Sequence, residues 1–164
     1  MAKSIALDVT TSQAGLTTLL GKIQASLVDR TLVSAALAIG SGSKKKVKLV
    51  AAPYALVNGV LVKGTINEEE ALAGTVTNAK FNVFVLAMDS SGVVTTAMGT
   101  EGATLGAVVF PTLPANTACL GFVIVNPTGT GNFVGASTDL DDATVVPNAV
   151  YINTLSFNAN VLSL

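Results

Sequence analysis

The chain has 164 residues, of which half are hydrophobic, 12% charged and 5% aromatic, and its net charge is −1. Soluble domains usually carry about 25% charged residues, so this surface has about half the ordinary supply of ions. There is no histidine and only one cysteine, which excludes serine–histidine and cysteine–histidine nucleophiles, histidine-containing zinc sites and thiolate metal cages.

The apolar excess is not that of a membrane span. The longest candidate, Leu32 to Ile39, is eight residues long and contains Ser34, far short of the roughly 18 needed to cross a bilayer. The other way to carry so few charges is to have much of the surface covered by protein, as in an obligate oligomer or a shell. Charge is also partitioned along the chain. All nine basic residues lie at or before Lys80, against five acids, giving +4; from Phe81 onward there are five acids and no base, giving −5. Complementary halves suit contacts between subunits. Lys3 is followed by Asp8 and a threonine-rich stretch where a secretory leader would have its apolar run, so none is expected. Cys119 lies in an apolar run and is expected to be a buried, inert thiol.

Taken in chain order, the first element is helical. Leu16, Leu19, Leu20, Ile23 and Leu27 recur at spacings of three and four, one face of an α-helix over about 12–28. This makes 1–30 an arm and 31–164 a β domain. From Thr31 the period becomes two, predicting a strand through Ile39, followed by the Gly40–Ser43 turn. Lys44, Lys46 and Lys48 then fall on one side of a strand and Val47 and Leu49 on the other, a lysine-lined, edge-like element. Asn58-Gly59 between two apolar runs predicts a two-residue hairpin. Asn67, with Glu70 three residues on, predicts a capped helical turn ended by Gly74. A second hairpin is predicted at 81–88 and 93–98, and further strands at 104–110, 118–125, 132–136 and 149–157, with prolines in the connections. The fold class is mainly β: an antiparallel β-sandwich or jelly roll of eight to nine short strands with an N-terminal helix.

Motifs for chemistry fail on spacing. Gly15 to Gly21-Lys22-Ile23 has one residue too many for a phosphate loop and lacks the following Ser or Thr; Gly129-Thr-Gly131 has Val134 where a dinucleotide loop needs its third glycine. Asp139, Asp141 and Asp142 begin like a calcium loop, but Ala143 and Thr144 break it. The run Lys44-Lys45-Lys46-Val47-Lys48 has no arginine or aromatic residue interleaved for nucleic acid. No catalytic, cofactor or metal residues are therefore assigned. The candidate contact residues are Leu16, Leu20, Ile23 and Leu27 on the helix, with Lys44, Lys46 and Lys48 on the strand. Partners are a homo-oligomer and no nucleic acid or membrane. A receptor- or carbohydrate-binding tip is the rival reading, for which only Tyr54 and Tyr151 offer aromatic surface.

Two stretches add a resemblance. Asn82-Val-Phe-Val-Leu-Ala-Met-Asp-Ser-Ser-Gly-Val-Val-Thr95 is similar to small virion proteins of tailed bacteriophages and prophages, as is Phe110-Pro-Thr-Leu-Pro-Ala-Asn-Thr-Ala-Cys-Leu-Gly-Phe-Val-Ile-Val125, continuing through Gly131 to Val145. Upstream, Ala35-Leu-Ala-Ile-Gly-Ser-Gly-Ser and Asn58-Gly59 agree in order, so the likeness covers about 32–145. It implies a capsid decoration (cement) protein, or a related head-fibre or tail component. Such a protein is made in the bacterial host cytoplasm and sits on the outer capsid as a trimer bridging major capsid subunits. It implies no catalytic residues.

Overall fold

The computed structural model describes residues 15–17, 29–147 and 149–155. These residues are mainly β, in twelve strands: β1 (Arg30–Val33), β2 (Leu37–Ile39), β3 (Lys46–Leu49), β4 (Tyr54–Val57), β5 (Val60–Lys63), β6 (Glu69–Ala71), β7 (Thr75–Val76), β8 (Asn82–Asp89), β9 (Val94–Met98), β10 (Thr117–Val125), β11 (Phe133–Val134) and β12 (Val150–Asn153). Residues 15–17 are helical; the rest of the expected 12–28 helix lies outside the described residues.

The largest sheet has the order β5-β4-β1-β10-β8-β9, and β12 pairs with β10 where β1 leaves it. β2-β3-β6 and β11-β7 form two smaller sheets. One apolar core joins all three. Phe84, Leu86, Met88 and Leu120 come from the large sheet, Leu37, Val47 and Leu49 from the second, and Val76 and Phe133 from the third. The large sheet curls, so that the β8–β9 turn meets β5: a Cβ on Gly92 would lie 3.2 Å from the Lys63 carbonyl oxygen.

Several elements follow their sequence signals closely. Asn58 and Gly59 both have positive φ, 49° and 76°, as the tight turn joining β4 to β5 requires. The long apolar run at 82–89 pairs with β9 across five residues and with β10 across eight. Buried on both faces, β8 needs no alternation.

Others depart from expectation. The strand predicted through Ile39 is two strands in two sheets. Ala36 takes φ 50° and donates its N–H to Ser34 Oγ at 3.0 Å, a side-chain turn that breaks the extended run. The large sheet is mixed, because β1 runs parallel to β10. Asn67–Glu70 forms no helical turn; Glu69–Ala71 is β6. Two bonds hold it extended, Leu49 N–H to Glu68 O and Asn67 N–H to Leu49 O. Residues 104–110 contain a 3₁₀ turn, Leu105–Ala107, in place of a strand. The lysine strand β3 is the central strand of its sheet, paired on both sides, so it is not an edge.

Glu69 is the keystone of the β2–β3 turn. Its carboxylate accepts the N–H groups of Ser41 and Gly42, both at 2.7 Å, and of Ser43 at 3.1 Å. The Gly42 N–H first, with those of Ser41 and Ser43, holds the Glu69 carboxyl below its ordinary range. A carboxyl lowered by folding adds stability that is present above the unfolded value, about 4.3, and is lost as pH falls through the lowered one. Glu69→Gln is therefore expected to melt lower than the parent at pH 7, with the gap closing towards pH 3; thermal melts at both pH values check this.

Candidate functional site

The described residues bring few chemistry-bearing side chains together. No group of three or more acidic, cysteine or histidine side chains there could hold a metal ion. Two of the three carboxylates of the 139–142 turn are engaged within the chain. Asp142 Oδ1 accepts both the N–H and hydroxyl of Thr144, at 2.8 and 2.6 Å, and Asp141 pairs with Lys44 Nζ at 2.6 Å. The glycine loop at 129–131 is turned against the same segment: Thr130 N–H donates to Thr144 O at 2.9 Å.

The candidate lysines are drawn into the chain's own bonds. Lys44 reaches Asp141, Lys46 Nζ lies 3.5 Å from Glu69 O, and Lys48 Nζ donates to Ser41 Oγ at 2.8 Å. The Lys44–Asp141 pair also joins the basic and acidic halves within one molecule. Leu16 stands 56% exposed, whereas Leu20, Ile23 and Leu27 lie outside the described residues. No hydrogen bond or ion pair among the described residues links Leu16 to the lysine strand. Of the two tyrosines, Tyr54 is half-buried with Lys63 Nζ 5.8 Å above its ring. The Tyr151 hydroxyl is buried without a partner, and burial first, then the charge of Asp141, pushes it up to about 12.

Cys119 is buried, and burial pushes its thiol up. It is expected to react with a thiol reagent at the rate of unfolding, and denaturant should expose it at once; a time course with a chromogenic disulfide checks this.

What the sequence did not single out is the outer face of the large sheet, the face turned away from the main core. Paired residues share a face, so the registers set a row across it: Leu61, Leu56, Arg30, Cys119, Ala87, Thr95. Over β8 and β10 this face is covered by the chain itself. Val83, Val85, Ala87 and Cys119 pack beneath Leu113, with Val108, Phe110 and Phe122 alongside. Phe110 and Phe122 meet edge to face, centroids 5.1 Å apart. An apolar cavity of about 250 Å³ remains there, lined by Val83, Leu105, Val108, Phe110, Phe122, Ile124 and Ile152. On β5, β4 and β1 the cover ends: Leu61 is 60% exposed, with Leu56 and Arg30 half-buried beside it.

No helix among the described residues is long and apolar enough to cross a membrane. Comparison with protein-family models, with curated proteins and with solved structures gives no match in any of the three.

Proposed function

We propose that this chain is a non-catalytic structural subunit of a bacteriophage virion. It would bind the outer capsid surface as a homotrimer and stabilise the shell by bridging neighbouring major capsid subunits. In this reading the three sheets around one core make a β-sandwich or jelly-roll body. The observation that carries the proposal is the combination of scarce ions and uncovered aliphatics. Val60, Leu61, Ile66, Val93, Leu105, Val109 and Leu155 are each more than half exposed, on a chain with only 12% charged residues. Where apolar side chains adjoin on the surface, as Leu61 and Leu56 do across β5 and β4, they mark a protein-contact site. The mechanism is mechanical. Apolar burial contributes about 25 cal/mol per Å² before association costs, and a standard interface covers about 1,600 Å², which raises the work needed to part adjacent subunits.

The resemblance of 82–95 and 110–145 to small virion proteins supports the same reading. Light scattering on the purified chain, followed by co-sedimentation with capsid shells stripped of it, is the test. Saturable binding of an oligomer is expected, together with a rise in the temperature at which the shell breaks open. A stable single chain that ignores the shells would end the proposal.

A further inference from the structure

The uncovered half of the outer face differs from a merely greasy patch in one respect. Arg30, the only arginine in the chain, stands in the middle of its cross-strand row, between Leu56 on β4 and Cys119 on β10. Its Nε is buried without an acceptor, and the guanidinium makes no ion pair among the described residues. A buried donor left unmatched is costly, and a charged one more so. Beside it, Leu56 and Leu61 extend the row to the sheet's edge, and Lys63 and Tyr54 form the adjacent row on the same face. The surface is thus apolar, centred on an arginine, with no acidic side chain on β1, β4 or β5.

What would cover it must bring apolar area together with a carboxylate. The chain supplies both: everything after Lys80 is without basic residues and carries five acids. Among these, Asp139 makes no side-chain hydrogen bond or ion pair among the described residues, its charge acting only more distantly on Lys44, while Asp89, Glu101, Asp141 and Asp142 are each committed to a neighbour in their own molecule. We propose that the bare β5-β4-β1 face is the seat of a second copy of this chain, whose acidic half supplies the carboxylate that Arg30 lacks. Because the two contacting surfaces differ, the contact is head to tail, and it closes into a ring when the rotation permits. An arginine in the middle of an apolar contact is the arrangement in which single side chains dominate affinity. This inference rests on the self-association in the proposed function and adds where that association occurs.

The test is light scattering on the full chain with three variants, each checked for folding by circular dichroism. Leu61→Glu and Arg30→Glu are expected to fall to the mass of one chain, 16.5 kDa. Lys45→Glu, exposed in the turn before β3, should keep the parent's mass. If either of the first two folds and still associates like the parent, the inference fails while the proposed function stands. If the parent itself weighs 16.5 kDa, both fail. Should both face variants misfold, a cysteine placed at Leu61 decides. Slow maleimide labelling in the assembled protein, relative to a cysteine at Lys45, supports the seat; equal labelling overturns it. A seat filled instead by the chain's own first 28 residues would show as a protected Leu61→Cys in a 16.5 kDa species, and this too overturns it.

Discussion

Replacing Phe84 by alanine is expected to destabilise the protein by about 3–5 kcal/mol, the usual cost of emptying a buried aromatic site. Phe84 is fully buried in the middle of β8, between strands β9 and β10 that pair with it on either side. Its ring meets Phe133 edge to face, with centroids 5.8 Å apart and planes at 69°. Phe133 belongs to the two-stranded sheet, so this contact is where the large sheet and that small one grip each other. Alanine would remove the aromatic pair, worth about 0.5–1.5 kcal/mol by itself, and leave a void that rigid strands on both sides cannot close. Domains have about 5–15 kcal/mol to lose, so the variant stands near the threshold of folding. Urea titration of parent, Phe84→Ala and Phe84→Leu checks this. Leucine keeps most of the volume and should lose less than half as much; equal losses would mean the site is not packed as described.

The second large effect is expected at Gly121. It sits where the β8–β10 register shifts, between Cys119 and Gly121, and is paired with Asn153 of β12. A Cβ there would fall 2.7 Å from the Leu37 Cδ1 and closer still to the Ile152 carbonyl oxygen. The leucine could swing away, but the carbonyl belongs to the ladder that holds β12. Gly121→Val should therefore cost about 3 kcal/mol, at the upper end of overpacking, with a fall in Tm of roughly 10 °C for a chain of this size. Amide exchange locates the damage: protection should disappear along 150–153 first and persist along 83–88. Uniform loss across both strands would show that β12 is not the part that yields.

How much of this was legible in the amino-acid order depends on whether the signal is local. Asn58-Gly59 needs no tertiary context, because its backbone preference is set by two residues, and it falls where expected. The unbroken apolar run at 82–89 likewise announces a doubly covered strand. Lys46 and Lys48 do alternate with Val47 and Leu49, yet alternation is blind to whether a strand has one neighbour or two, and β3 has two. The failures at Ala36 and at Asn67–Glu70 have different causes. Ala36 turns on the Ser34 hydroxyl two residues earlier, a local bond that alternation does not register, whereas Glu69 is claimed by N–H groups 26 to 28 residues earlier. A capping pattern and a β-turn brace use the same letters; only the fold decides between them. The contact surface was the least legible part. Leu56 and Leu61 lie 26 and 31 positions after Arg30 and join it in one row only through the β1–β4–β5 register, while the conspicuous lysines are occupied within their own chain.

One small junction has a mechanical meaning. The hydroxyls of Thr31 and Thr154 both donate to the carbonyl of Cys119, at 2.6 and 3.2 Å, so β1 and the segment just after β12 are fastened to one point of β10. A pull applied between them would be shared by that carbonyl and by the ladders the two strands make with β10.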